Sequence, residues 1–199
     1  MAHRGRLITI EGIDGAGKTT LADGLVRARP ELALMREPGG VAVAERIRAL
    51  VKDPELHVDP RAEALLYAAA RAQLVHERLL PALASGKDVL LDRFVDSSLA
   101  YQGAGRGLGV EAIAALNRFA TGGLAPDLTL YVRVPPEVGL ARCQGEDRLE
   151  RAGAEFFAAV VSAYDELAAA EPERIVVLDG TQPPGDVLRA ALAVMDDRA

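Results

Sequence analysis

The stretch RLITIEGIDGAGKTT, residues 6–20, decides the fold. It opens with RLITIE, a short apolar run rich in β-forming side chains, which predicts a buried strand. Gly12 interrupts this run, and KTTLADGLVRA (residues 18–28) then resumes with the spacing of a helix. A buried strand that leads through a glycine-rich loop into a helix predicts an α/β domain.

The loop between this strand and helix fits the pattern G-x-x-x-x-G-K-[ST] at Gly12, Gly17, Lys18 and Thr19. In such a loop, backbone N–H groups surround an anion, and the positive end of the following helix points at the same anion. Lys18 would reach the outer phosphates of a nucleotide, and the Thr19 hydroxyl would ligate Mg²⁺. The alternative is a glycine-rich turn that matches by chance. Asp14 lies inside the loop, where it faces a sugar hydroxyl, an arginine, a metal-bound water or only solvent.

Length and composition restrict the class of protein. The chain has 199 residues, 50% of them hydrophobic, which suits one domain spanning residues 1–199. Its net charge of -6 argues against a general nucleic-acid-binding protein, which would carry a basic patch. We expect no membrane partner, because no apolar run is long enough for a membrane span. The single cysteine, Cys143, fits a reducing cytoplasm.

Strand-like and helix-like segments alternate along the rest of the chain. The other predicted strands are LALM (32–35), DVLLD (88–92), DLTLYVRV (127–134) and RIVVLD (174–179). The other predicted helices lie around residues 41–51, 61–84, 110–121, 136–143, 153–170 and 185–196. This alternation predicts a parallel sheet covered by helices on both faces, although one sequence does not give the order of the strands.

Asp92 ends the third predicted strand, and Arg93 follows it. The carboxyl ends of parallel strands line the ligand crevice, so Asp92 is a candidate Mg²⁺ ligand and Arg93 a candidate phosphate-binding fork. The alternative for the pair is a surface salt bridge. The phosphate loop does not separate GTPases, ATPases and kinases, but the lack of an N-K-x-D motif weighs against an ordinary GTPase.

Six motifs together carry a resemblance to a known family. In chain order they are EGIDGAGKTT (11–20), REPGG (36–40), YAAARAQ (67–73), DRFVDSSLAYQG (92–103), DRLE (147–150) and DGTQP (179–183). Along nearly its full length, the chain resembles the bacterial thymidylate kinases. The resemblance implies a three-layer P-loop NTPase fold, with a five-stranded parallel sheet flanked by helices and a mobile lid at about residues 142–153. It also implies transfer of the ATP γ-phosphate to dTMP in dTTP biosynthesis, with Mg²⁺, by a homodimer.

The resemblance implies an acceptor site for dTMP. Tyr67 and Arg71, four residues apart on a predicted helix, would stack on the thymine base and hydrogen-bond to it. Glu37 would lie close to the acceptor and its metal. The other implied dTMP-binding residues are Asp14, Arg93, Ser97, Ser98, Tyr101 and Gln102. Without the resemblance, a surface pair of Tyr67 and Arg71, a turn at Glu37 and helix capping by the serines are the alternatives.

The resemblance also implies a donor site for ATP. Its residues would be Gly12, Ile13, Asp14, Gly15, Ala16, Gly17, Lys18, Thr19, Thr20, Arg142, Thr181 and Gln182. During transfer, Lys18 and Arg93 would contact the phosphates, while Asp14 would approach the 3'-hydroxyl of the nucleotide. Arg148 in the lid would stabilise charge on the moving phosphoryl group, because family members with glycine at the position of Gly15 commonly supply an arginine from the lid.

The sequence is compatible with more than one role for several of these segments. A charged helix surface is the alternative for the lid segment, and Arg106 either binds phosphate or braces a glycine-rich loop. Two other functions also account for the motifs. One is a kinase for another pyrimidine nucleoside monophosphate, and the other is a protein that senses nucleotides by binding ATP without turnover.

Overall fold

The computed structural model describes residues 4–143, 148–149 and 152–198. Within these residues, five strands form one sheet in the order β2–β3–β1–β4–β5, and all neighbouring pairs are parallel. The strands are β1 (Leu7–Glu11), β2 (Ala33–Arg36), β3 (Val89–Asp92), β4 (Leu128–Arg133) and β5 (Ile175–Asp179). Because the strands are parallel, their carboxyl ends meet at one edge of the sheet.

Helices connect the strands. They are α1 (Lys18–Ala28), α2 (Ala42–Lys52), α3 (Pro60–Leu74), α4 (Leu80–Ala84), α5 (Val95–Ser98), α6 (Val110–Thr121), α7 (Pro136–Arg142), α8 (Ala154–Ala170) and α9 (Pro184–Asp197). Two π-helical segments, Val75–Leu79 and Leu99–Gly105, join α3 to α4 and extend α5. Among the described residues, no helix combines the length and the hydropathy of a transmembrane span.

The structure confirms the predicted alternation of strands and helices. Each of the five strands begins and ends within one residue of its prediction. The helix predicted around residues 61–84 is present as α3, a π-helical segment and α4. The predictions missed α5 and the π-helical segment after it, because VDSSLAYQGAG carries neither helical periodicity nor a strong run of helix formers.

Alternate residues of β3 show that both faces of the sheet are covered. Leu90 belongs to the larger hydrophobic cluster, which packs α1, α8 and α9 with β1, β4 and β5. Val89 and Leu91 point to the opposite face and join the smaller cluster, which includes α2, α3 and α4. The helices therefore flank the sheet, as the pattern of elements predicts.

The ends of β1 and β3 position the functional residues. Ile10 pairs with Asp92 in the sheet, and the Arg93 N–H donates a 3.0 Å hydrogen bond to the Ile10 carbonyl. The phosphate loop that leaves β1 therefore begins beside the turn that leaves β3. This adjacency brings together two motifs that are separated by about seventy residues of sequence.

Candidate active site

Two clefts open at the carboxyl edge of the sheet and meet at the phosphate loop. The β3 cleft, about 220 Å³, lies between this loop and the segments that follow β2 and β3. The β5 cleft, about 460 Å³, lies between the same loop and the segment that follows β5. Asp14, Lys18 and Thr19 line both clefts. Two ligands that occupied the clefts would therefore face each other across these three side chains.

Glycines let the phosphate loop pack closely against its neighbours. A Cβ atom on Gly12 would lie 2.5 Å from the Val132 carbonyl oxygen, and one on Gly15 would lie 2.2 Å from that of Gly139. The φ angles of these glycines are 138° and 76°, which other residues rarely adopt. The loop is thus held between the end of β4 and α7, with its backbone available to an anion.

Lys18 is a buried cation at the junction of the two clefts. Its Nζ donates a 2.8 Å hydrogen bond to the Ile13 carbonyl, which curls the side chain over the loop. Burial lowers the pKa of Lys18 to about 8 and the charge of Arg93 acts in the same direction, while Asp14 and Asp92 oppose them. An anionic phosphate at this position would favour the charged amine, because opposite charges stabilise each other.

Asp14 faces an arginine, one of the partners considered for it from the sequence. Arg93 Nη2 lies 2.6 Å from Asp14 Oδ1, and the Tyr101 hydroxyl donates to Asp14 Oδ2 at 3.2 Å. Burial alone would raise the pKa of Asp14, but the charges of Arg93 and Lys18 hold it well below its usual range. Asp14 is therefore an anion that orients the Arg93 guanidinium beside the phosphate loop.

Arg93 itself adopts an unusual backbone conformation. Its φ angle is 68°, in the left-handed region that residues other than glycine seldom occupy. The guanidinium lies over the Tyr101 ring, 5.0 Å from its centroid, and donates to the Gly12 carbonyl at 3.0 Å. Backbone strain of this kind persists where the surrounding structure fixes it and is common at functional sites.

Asp92 and Thr19 offer oxygen ligands for a cation. Both line the β3 cleft. Asp92 Oδ1 is buried and has no hydrogen-bond partner among the residues that the structure describes. A buried carboxylate oxygen without a donor is costly, so this oxygen fits a metal ion or a metal-bound water. The chemistry of Asp92 and Thr19 therefore fits Mg²⁺, which prefers oxygen ligands and commonly uses one or two from protein beside substrate phosphates.

Glu37 and Arg71 form a buried ion pair at the β3 cleft. Arg71 Nη2 lies 2.6 Å from Glu37 Oε2, and Arg71 Nε donates to the same oxygen at 2.8 Å. Burial raises the pKa of Glu37, although the charge of Arg71 opposes the shift. Glu37 Oε1 is buried without a hydrogen-bond partner in the described part of the chain. This oxygen is free to accept a hydrogen bond from a ligand in the cleft.

Arg71 makes more contacts with the protein than the sequence suggested. It donates to Ser98 Oγ at 2.9 Å and to the Phe94 carbonyl at 2.8 Å, and it also binds the Asn117 side-chain oxygen. Only 2% of the residue is exposed. It therefore joins α3 to α5 and α6, and its contact with a base remains a prediction.

The other residues predicted for the acceptor also lie around the β3 cleft. Tyr67, Ser97, Ser98, Tyr101 and Gln102 all line it. The Ser97 hydroxyl donates to Glu11 Oε2 and is hydrogen-bonded to the Tyr164 hydroxyl. Ser98 Oγ accepts a hydrogen bond from Arg71 Nη1. Gln102 donates to Glu63 Oε1 at 2.8 Å. Tyr67 is partly buried and packs against both hydrophobic clusters, so its ring forms part of the wall of the cleft.

Most residues predicted for the donor line the β5 cleft, whereas Gly12, Ile13 and Thr181 are not among the described residues that line it. Loop residues from Asp14 to Thr20 form one side, and Arg142 and Gln182 lie on the other. Arg142 Nη1 donates to the Gly15 carbonyl at 3.3 Å. Thr181 and Gln182 are held by Asp179, to which the Thr181 N–H donates at 2.9 Å and Gln182 Nε2 at 2.8 Å. Asp179 therefore fixes the shape of the turn after β5, which faces the phosphate loop across the β5 cleft.

The predicted lid lies partly outside the described residues, but Arg148 is described. Its Nη2 forms an ion pair with Glu63 Oε2 at 2.6 Å, although the geometry is not that of a hydrogen bond. Its Nε donates a hydrogen bond to the Val51 carbonyl at 3.2 Å. Arg106 Nη2 also pairs with Glu63 Oε2, at 3.1 Å. The structure thus places Arg106 as a brace for its loop and Arg148 against α2 and α3. Contact of Arg148 with a phosphoryl group stays a prediction.

Two buried acids near the site were not singled out from the sequence. Glu63, fully buried on α3, binds Gln102 and two arginines. Glu11, fully buried at the end of β1, accepts hydrogen bonds from Phe94, Ser97 and Tyr164. Glu11 carries the same signal that identified Asp92, a carboxylate at the carboxyl end of an apolar strand. Glu63 resembles any charged residue in the first turn of a helix, so the sequence offers no signal for it.

Comparison with known proteins agrees with this geometry. A family described as thymidylate kinase matches residues 10–191. The chain belongs to the thymidylate kinase family. It is 49% identical to a thymidylate kinase of Latilactobacillus sakei over 96% of this chain and 94% of the relative. It is 45% identical to a thymidylate kinase of Lactobacillus helveticus over 98% of this chain and 97% of the relative.

A solved thymidylate kinase has the same fold. The crystal structure of the Ehrlichia chaffeensis protein superimposes with a TM-score of 0.80 at 29% identity, covering 97% of this chain and 99% of the other. The described fold is therefore the P-loop NTPase fold of the thymidylate kinases. In this member of the family, the loop, the end of β3 and the turn after β2 meet at one pair of clefts.

Proposed function

We propose that this protein transfers the γ-phosphoryl group of ATP to dTMP, giving dTDP and ADP. The observation that supports this reaction best is the pair of clefts that share Asp14, Lys18 and Thr19 in a chain of the thymidylate kinase family. ATP would occupy the β5 cleft and dTMP the β3 cleft. Their phosphates would then meet over the backbone N–H groups of the loop.

The residues at the junction hold and orient the two phosphates. The dTMP phosphate attacks the γ-phosphorus, the bond to the bridging oxygen breaks, and ADP leaves with that oxygen. Lys18 and the loop N–H groups bind the phosphates of ATP, and Arg93 orients the attacking phosphate. The attacking oxygen is already anionic near neutral pH, so the reaction needs positioning and charge stabilisation more than a general base.

We propose Mg²⁺ as the cofactor, held by Thr19 and Asp92. The partnerless Asp92 oxygen beside the loop supports this assignment. When bound, Mg²⁺ would screen the negative charge of the outer ATP phosphates. Arg148 remains our candidate for a lid arginine that contacts the transferred group, and it would have to leave Glu63 to do so.

Several further expectations belong to the same proposal. We propose one domain over residues 1–199, a lid at about residues 142–153, a homodimer and a cytoplasmic location. The lid and the homodimer rest on the family to which the chain belongs, the single domain on the length of 199 residues, and the cytoplasmic location on the single cysteine.

The acceptor preference tests the proposed function. ADP release from ATP is measured in a coupled assay with dTMP, dUMP, dCMP or dGMP as the acceptor. We expect dTMP to give the highest kcat/KM. Preference for another pyrimidine monophosphate would instead identify a kinase of different specificity. ADP release that does not respond to any acceptor, with ATP still bound, would favour a nucleotide-sensing protein.

A further inference from the structure

The buried carboxylate of Glu11 links β1 to the turn that carries Arg93. We propose that Glu11 is a positioning residue for phosphoryl transfer, which clamps this turn and so fixes the Arg93 guanidinium in the β3 cleft beside Asp14. The inference rests on the proposed function. It assigns a role to a side chain that is not among the described residues lining either cleft.

Each oxygen of the Glu11 carboxylate accepts from the segment after β3. Oε1 accepts from the Phe94 N–H at 2.7 Å and from the Ser97 N–H at 3.3 Å. Oε2 accepts from the Ser97 hydroxyl at 2.5 Å and from the Tyr164 hydroxyl at 2.7 Å. The carboxylate thus binds the chain immediately after Arg93 and again four residues beyond it. Oε1 reaches both ends of this segment through backbone N–H groups, and Oε2 adds the Ser97 and Tyr164 hydroxyls.

The segment that Glu11 holds is one that needs an external restraint. Arg93 has a φ angle of 68°, an unfavourable value for a residue with a Cβ atom. Such a conformation persists only where neighbouring groups fix it. The Arg93 N–H is bound to Ile10 and the next N–H to Glu11, so β1 holds the strained residue from both sides.

Glu11 is also connected to the Arg93 guanidinium through the Ser97 hydroxyl. The Ser97 hydroxyl donates to Glu11 and accepts from Arg93 Nη1 at 3.2 Å. The same Nη1 donates to the carbonyl of Gly12, the residue after Glu11, at 3.0 Å. The acid therefore sets the position of Arg93 through the backbone of its turn and through one hydroxyl.

Burial of this acid is unfavourable by itself. Burial, with the nearby charge of Asp96, raises the pKa of Glu11 to about 7, although Ser97, Arg93 and Tyr164 favour the ionised form. A hydrophobic residue at the end of β1 would avoid this desolvation. The hydrogen bonds from Glu11 to the turn that carries Arg93 offset this cost of burial. Because these bonds position Arg93 and Glu11 lines neither cleft, we expect loss of the carboxylate to lower turnover more than substrate affinity.

Steady-state kinetics of Glu11→Gln test the inference. The variant keeps the side-chain volume but removes the charge and one acceptor oxygen. We expect kcat to fall about 10- to 100-fold, as when an outer residue that orients a catalytic group is changed, with KM for ATP and dTMP within about threefold. The matched control is Thr9→Val, which removes another buried polar group from β1, since the Thr9 hydroxyl bonds only the Thr129 hydroxyl, at 2.8 Å, among the described side-chain contacts. Thr9→Val should change kcat by less than about twofold.

A double-mutant cycle separates positioning of Arg93 from general damage. In an Arg93→Ala background, Glu11→Gln should reduce the single-turnover rate by less than about threefold, because the group that it positions is gone. Multiplicative effects of the two substitutions would overturn the inference. So would a Glu11→Gln enzyme with wild-type kcat, or equal losses in Glu11→Gln and Thr9→Val.

Two further outcomes are informative. If Glu11→Gln does not fold, Ser97→Ala replaces it in the double-mutant cycle, because this change removes the hydroxyl that joins Glu11 to Arg93 Nη1. Multiplicative effects with Arg93→Ala, or a wild-type kcat, would again overturn the inference. If the wild-type enzyme itself does not phosphorylate dTMP, the proposed function has failed. An active wild type with an unimpaired Glu11→Gln variant contradicts the role of Glu11 alone.

Discussion

Glu37 Oε2 lies 2.6 Å from Arg71 Nη2, and the two side chains are only 4% and 2% exposed. The same guanidinium binds Ser98, Asn117 and the Phe94 carbonyl. The turn after β2 is therefore connected to α3, α5 and α6 through one buried ion pair. A pair in this position shapes the wall of the β3 cleft and also contributes to the stability of the fold.

Substitution of Glu37 by alanine should destabilise the protein strongly. Removal of one member of a buried ion pair leaves the other charged group desolvated and unpaired, which typically costs about 3–5 kcal/mol. We expect a loss of this size in the free energy of unfolding, measured by urea denaturation at neutral pH without ligands.

An exposed pair provides the control for this substitution. Glu45 pairs with Arg36 at 2.9 Å, but both side chains are more than two-fifths exposed. Glu45→Ala should cost only about 0–1 kcal/mol, because solvent screens the pair. If Glu37→Ala is no more destabilising than Glu45→Ala, the buried pair does not have the structural role assigned to it here.

Arg93 should be required for turnover rather than for folding. Arg93→Ala removes the guanidinium that lies beside Asp14 in the β3 cleft, and we expect kcat to fall by about 100-fold or more, as when a preorganised charge-stabilising donor is lost. The control is Arg133→Ala, at the end of β4, where the arginine is 44% exposed and pairs with Asp165. Near-normal kcat for Arg93→Ala, with cooperative thermal unfolding in both variants, would contradict the role of Arg93.

The fold was largely predictable because its signals are local. Short apolar runs identified all five strands to within one residue, and glycine and the helical spacing after it identified the phosphate loop. The order β2–β3–β1–β4–β5 was not predictable, because strand neighbours depend on contacts between distant parts of the chain. The helix α5 was missed because four residues are too few to show a period.

Individual site residues were predictable from the sequence only where they lie in a recognisable motif, and their contacts in the folded protein were not. Asp14 and Arg93 were selected from their motifs, but only the structure shows that they bind each other at 2.6 Å. Arg71 was assigned to the base, whereas its partners in the protein come from the turn after β2, from α5 and from α6, which no local pattern reveals. Glu63 was missed because a buried acid in the first turn of a helix looks like any other charged residue until its distant partners are known. Glu11 carries the strand-end signal of Asp92, but the donors that hold it lie far along the chain and only the structure reveals them.

Asp92 should control the Mg²⁺ requirement. Because its buried Oδ1 lacks a protein partner in the described residues, we expect Asp92→Asn to raise the Mg²⁺ concentration for half-maximal activity by about 10-fold or more. The measurement is an Mg²⁺ titration of ADP release at saturating ATP and dTMP. Asp88→Asn, at the opposite end of the same strand, is the control, since Asp88 pairs with Arg6. A titration of Asp92→Asn that overlays the wild type would exclude Asp92 as a metal ligand.

Lys18 should make ATP binding depend on pH in a specific direction. Burial, with the charge of Arg93, lowers the pKa of Lys18 to about 8 in the free protein. Phosphates placed beside Nζ favour the charged amine and so raise this pKa on binding. Between the two pKa values the free protein lacks a proton that the complex holds, and ATP binding must therefore take up a proton.

Isothermal titration calorimetry in buffers of different ionisation enthalpy measures this uptake. At pH 8.5 we expect an uptake of up to about three-quarters of a proton per ATP bound, falling to below about 0.2 at pH 7, where Lys18 is already charged. Lys18→Arg is the matched control, because a guanidinium stays protonated throughout this range and should show no uptake at either pH. Equal uptake in wild type and Lys18→Arg at pH 8.5 would assign the proton to another group. No uptake in the wild type would mean that Lys18 is charged before ATP arrives, and that the desolvation inferred from its burial is compensated within the free protein.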